Sequence, residues 1–116
     1  MRKIEHAMID AIHNRKDWKL SNTKVINTQE SGKPLEQTVL LHGNLIATII
    51  GGQTVMFHFA SSQHFSRTTF SRINAICRQY CNGYVYMKNH NPMLSGMGND
   101  DIELSVGDTW TFNMWR

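Results

Sequence analysis

A chain of 116 residues, 41% hydrophobic and 18% charged, has the size and composition of one folded domain with a modest core, which excludes a disordered chain. No apolar run approaches the roughly 18 residues of a membrane span. The net charge of +3 is mild, but all nine acidic residues lie at or before Glu36 or at or after Asp100. The segment between them carries Arg67, Arg72, Arg78 and Lys88 without an acid, and a field of one sign attracts anions such as nucleic acid or an acidic protein surface. A strand-rich core that simply needs few charges accounts for the same pattern.

Glu5, His6 and Asp10 interrupt the N-terminal stretch where a secretory signal should be apolar. With no such signal, the two cysteines are expected as reduced thiols in a cytoplasmic compartment. Ile4, Met8, Ala11 and Ile12 recur at helical spacing, so residues 2–15 read as a short amphipathic helix. Trp18 anchors the turn that follows, and 23–28 reads as a short edge strand. "TQESGKPLEQ" has turn residues and no apolar period, which marks a surface loop.

"TVLLHGNLIATIIGGQTVMFHFA" divides at His42-Gly43-Asn44 and at Gly51-Gly52 into three runs, read as strands near 37–42, 45–50 and 53–59. These runs are apolar on both faces in places, so the sheet needs a cover. "SRTTFSRINAI" supplies it. Phe70, Ile73, Ile76, Cys77, Tyr80 and Cys81 share one arc of a helical wheel, which predicts a principal helix over 68–81 that stops at Asn82-Gly83. "YVYMKN" resumes a strand, "HNPMLSGMGNDD" reads as a long flexible loop, and "IELSVGDTWTFNMWR" reads as a closing hairpin that turns at Gly107-Asp108. The expected fold is α+β: a single domain over 1–116, with an antiparallel sheet of about five to seven strands, one principal helix packed on it and a short N-terminal helix.

On the wheel Arg67, Arg72 and Arg78 fall outside the apolar arc, together with Ser71, Ala75 and Gln79. A helix N-terminus with Thr68, Thr69 and unneutralised guanidiniums nearby is competent to hold phosphate. Ser66 or Thr68 acting as an ordinary cap explains the hydroxyls equally. The anion reading requires that Glu30, Glu36, Asp100, Asp101 and Glu103 leave these arginines alone. In "YVYMK", strand alternation sets Tyr84, Tyr86 and Lys88 on one face, where two rings can stack unpaired bases or pack beneath the helix. Met93, Leu94 and Met97 are adaptable side chains that form a partner-binding loop or fold back over a sheet edge.

Cys77 and Cys81 share a helix face, but no second Cys/His pair stands at finger-like spacing, so core packing is expected and no metal. "GNDDIE" lacks the twelve-residue calcium-loop pattern. The acid-free central segment offers no carboxylate for acid–base work, His42, His58, His64 and His90 have no evident partners, and no nucleophile, phosphate-loop or dinucleotide motif occurs. No catalytic residue and no cofactor is therefore expected.

"LHGNLIATI" followed by "SRTTFSRINAI" resembles a pattern of small accessory proteins of tailed bacteriophages. A strand with Gly43, Asn44, Ile46 and Ala47 there precedes a helix opened by Thr68, Thr69, Arg72, Ile73 and Asn74. The resemblance spans about 38–88 and implies a non-enzymatic factor made in the host cytoplasm. The expected function is a binding protein whose basic helix face contacts nucleic acid or a host protein that handles it, with no membrane association. The alternative is an inhibitor of host or defence proteins that acts by protein–protein binding alone, and a metal-free hydrolase is the third reading.

Overall fold

The computed structural model describes residues 1–98 and 100–115. Helix α1 (Lys3–His13) leads into five strands, β1 (Trp18–Leu20), β2 (Thr23–Thr28), β3 (Glu36–Leu41), β4 (Asn44–Ile50) and β5 (Thr54–Phe59). A 3-10 turn (Ser62–Phe65) precedes helix α2 (Arg67–Tyr80), followed by β6 (Tyr84–Lys88), β7 (Asn91–Ser95), β8 (Ile102–Glu103) and β9 (Asp108–Asn113). The α+β expectation holds, with the short N-terminal helix, the principal helix and antiparallel pairing throughout. The strands divide between two sheets, a six-stranded one ordered β1-β2-β3-β4-β5-β9 and a three-stranded one ordered β6-β7-β8.

The meander β3-β4-β5 forms where the glycine signals placed it. Gly51 and Gly52 both take positive φ, 60° and 65°, and with Gln53 they make the three-residue loop that sets Ile50 opposite Thr54. A register shift after Val39 leaves Ile46 as the extra residue of a β-bulge, and Ile46 and Ala47 are consequently both buried. Val25, Val39, Ala47 and Phe57 stand in register across four strands and face the helices. Phe70, Ile73 and Ile76 of α2 close that core, each worth about 1.5–3 kcal/mol on burial. The opposite face, with Ile26, Thr38 and Met56, stays half-exposed, so α2 covers one side of the sheet rather than both.

Four local expectations are corrected. Thr23–Thr28 is not an edge strand, because Trp18–Leu20 pairs outside it. "HNPMLSG" is not a loop: Asn91–Ser95 pairs with Tyr84–Lys88, and fully buried Leu94 provides the apolar anchor that its flanking glycines obscured. The closing segment is not a hairpin, since β8 pairs with β7 whereas β9 pairs with β5, and the turn at Gly107 carries the chain from one sheet to the other. Finally, α2 does not end in a left-handed glycine. Cys81 is already extended at φ −154°, and Gly83 is needed because a Cβ there would stand 2.8 Å from the Phe112 ring.

Candidate nucleic-acid interface

Ser66 caps α2, its Oγ accepting the Thr69 N–H at 3.1 Å. The Thr69 hydroxyl is buried in the same cap, 2.8 Å from Ser66 Oγ, so Thr69 is not available to a ligand as the sequence led us to expect. Thr68 is half-exposed on a groove of about 370 Å³ that His42, Asn44 and Gln63 also line, and Arg67 is exposed beside it in sequence.

Arg72 overturns the main electrostatic expectation. Its side chain is 3% exposed, and its guanidinium meets the Glu5 carboxylate at 2.8 Å. Its Nε donates to Thr23 Oγ1 at 3.0 Å and its second terminal nitrogen to Asn22 Oδ1 at 3.3 Å. Glu5, 2% exposed, also accepts from the Ser71 hydroxyl and from the Arg2 backbone N–H. Burial by itself raises a carboxyl's pKa. Here the hydrogen bonds from Ser71, Arg2 and Arg72, with the Arg72 charge, outweigh it and hold Glu5 below its ordinary value. The neutralising acid comes from α1, not from the carboxylates flanking the central segment. The sequence held half of the signal: Glu5 stands on the stripe of Met8, Ile9 and Ile12, whereas Arg72 falls just outside the apolar arc of α2, beside Ile76. Ala75, also assigned to the outer face, is buried too.

Arg78 does lie outside. It lines a cleft of about 470 Å³ with Met1, Arg2, Ser71, Asn74 and Tyr84, floored by Glu5. Arg72 already compensates Glu5, and among the described residues neither Arg2 nor Arg78, which also line that cleft, forms an ion pair. Tyr84 is 53% exposed and stacks on Tyr86, ring centroids 5.8 Å apart and 23° from parallel. Lys88 is exposed on the same strand face. The Tyr86 hydroxyl donates to the Asp101 carboxylate, which raises its pKa.

The register joins two groups that the sequence kept apart. Met93 stands opposite Tyr86 and Ser95 opposite Tyr84, so Met93 belongs to the tyrosine face. Leu94 points the other way, opposite Val85, and as a core residue it cannot serve a partner-binding loop. Met97 is 36% exposed beyond the strand. Asn74, for which no role was legible, pins this sheet to α2. Its Nδ2 donates to the Val85 carbonyl at 2.9 Å, and its Oδ1 accepts the Val85 N–H at 2.8 Å, occupying the outer edge of β6 as a neighbouring strand would.

Cys77 and Cys81 are both buried. The Cys77 thiol's hydrogen bond pulls Cys81 down to about 7 against the opposing effect of burial, with the Gly83 backbone assisting, while Cys77 is pushed up. No group of three metal-ligating side chains occurs among the described residues. His58 bonds Thr48 at 2.9 Å, and His64 bonds Ser61 at 3.0 Å and the Leu45 carbonyl at 3.1 Å. No helix is long and apolar enough to cross a membrane.

The family model described as Kyanoviridae Gp96 protein matches residues 1–113, and the chain belongs to this family of cyanophage proteins. No curated protein and no solved structure matches it.

Proposed function

From membership of a phage family as premise, we propose that this accessory protein binds nucleic acid in the host cytoplasm, without catalysis, through the surface where α1, α2 and β6 meet. The observation that carries the reading is Tyr84, stacked on Tyr86, in the lining of a cleft that also holds the Arg2 and Arg78 cations. Exposed aromatic rings accept the π-face of any unpaired base, and guanidiniums beside them accept phosphate oxygens. Asp101 and Glu103 lie on the β8 side of the sheet, so repulsion directs phosphates toward α2 and leaves bases over β6 and β7. Lys88 extends the positive track, and Arg67 with Thr68 offers an outlying contact at the start of α2. Arg72 and Thr69 have structural roles and leave the set.

The test is binding of a labelled single-stranded oligonucleotide across a salt series. Affinity should fall linearly in log–log form as phosphate counterions are released, and Arg78→Ala should flatten that slope by about one ion. Tyr84→Ala should weaken binding by about 1–3 kcal/mol at constant slope. Absence of binding at low salt sinks the reading. The second reading, an inhibitor that acts by protein contact alone, draws on Met93 beside Tyr86 and on exposed Met97 beyond the strand. It requires capture of one purified host protein that survives nuclease and is lost with Met93→Asp.

A further inference from the structure

Among the described residues, the sheet edges of this protein are closed in different ways, and one is left open. β1 is three residues long with exposed Lys19 at its centre, and β8 is two residues long and ends on exposed Glu103. The outer edge of β6 is occupied by the Asn74 amide. Short length, charge and a covering group are the devices that keep edges from pairing with other chains. β9, the last strand of the large sheet, has only one of them, a single charge at its start. It runs for six residues, Asp108–Asn113, uncharged after Asp108, with no proline and no register shift against β5.

Its hydrogen-bond phase can be read. The Met114 N–H donates to the Gln53 carbonyl, and ladder alternation then turns the backbone groups of Phe112 and Trp110 toward β5. The N–H and C=O groups of Thr109, Thr111 and Asn113 therefore point away from the sheet, and no described residue bonds to them. All three residues are exposed.

We propose that β9 is a self-association edge, pairing antiparallel with β9 of a second copy of this chain about a two-fold axis at Thr111. The sequence is complementary to itself in that register. Thr111 meets Thr111, and Thr109 meets Asn113, so every outward N–H and C=O finds an acceptor or donor. On the core-facing side Trp110 meets Phe112 twice, the aromatic cross-strand pair that stabilises antiparallel ladders. Asp108 falls opposite Met114, which keeps the two carboxylates at opposite ends of the paired strands. The interface is isologous and closes at two copies, since pairing uses up both open edges.

The test is the solution mass of the full chain by light scattering or sedimentation over a concentration series reaching about 100 μM, where even micromolar affinity populates a dimer. The native chain is expected to be a dimer. Thr111→Val keeps the backbone N–H and should remain one. Thr111→Pro removes an N–H that makes no bond within the chain, so it should fold with an unchanged far-ultraviolet spectrum and run as a monomer. Should that variant fail to fold, Thr111→Lys sets like charges face to face and is expected to weaken association at least about tenfold. A monomer across the whole series overturns the proposal, as does a dimer indifferent to Thr111→Pro or, where that variant does not fold, to Thr111→Lys.

Discussion

Arg72 and Arg78 sit on one helix, carry the same charge and look interchangeable on a helical wheel, yet they lie in opposite environments. Arg72 is enclosed by Glu5, Thr23 and Asn22 at the junction of both helices with the large sheet. Arg78 stands at the rim of a cleft beside Arg2 and Tyr84. The first region is polar but saturated, so its chemistry is directed inward to hold α1 against α2. The second leaves cations and stacked rings facing solvent. What separates a structural cation from a docking one is whether its neighbours have already met its charge and donors.

That contrast can be broken most sharply at the junction. Arg72→Ala leaves Glu5 buried and unpaired and should cost about 3–5 kcal/mol in denaturant unfolding. The double variant Glu5→Leu with Arg72→Met should recover most of that loss; if it does not, the junction contributes more than charge pairing. Next in size, Asn74→Ala orphans the Val85 N–H and C=O and should cost about 1–3 kcal/mol. Hydrogen exchange should localise the loss to β6 and β7, and uniform acceleration through the large sheet would contradict the anchoring role.

Acid should probe the junction as well. The Glu5 pKa is depressed in the folded state, so its stabilisation is fully present above its ordinary value of 4.5 and is lost as pH falls through the folded value. His58 is held below its ordinary 6.5 by burial and by His64, so the folded state binds its proton less readily and stability begins to fall as pH drops below 6.5. Thermal melts should thus decline in two stages on acidification, and Glu5→Gln should shrink the lower one, leaving the share of Asp17, whose pKa the Asn27 hydrogen bonds also lower. The smallest effect is expected at the cleft: Arg78→Ala should change stability by no more than about 0.5 kcal/mol. A larger loss would mean that Arg78 is structural after all and would merge the two regions.

Much of the fold that carries this contrast was legible in the sequence, though the contrast itself was not. The glycine pairs placed the meander, and the apolar arc Phe70, Ile73, Ile76, Cys77 and Tyr80 placed the face of α2 that packs. Strand alternation set Tyr84 with Tyr86. Glu5 was readable as a charge on an apolar stripe, but Arg72 falls outside its own arc, and pairing the two joins residues on different helices, which no local window compares. The strand Asn91–Ser95 was hidden by its proline and flanking glycines, and only Leu94 entering the core reveals it. Gly83 looked like a helix stop because local sequence cannot show the Phe112 ring that comes against it.

Period and turn chemistry therefore determined, from the sequence alone, the two helices, the central meander and the apolar side of each, because those preferences arise within a few bonds of each residue. Tertiary structure decided which charges are spent on one another, which sheet each late strand joins, and which surface keeps its cations and rings exposed. Those outcomes depend on distances between segments far apart in the chain, and a buried ion pair or an occupied strand edge exists only once both halves have been brought together.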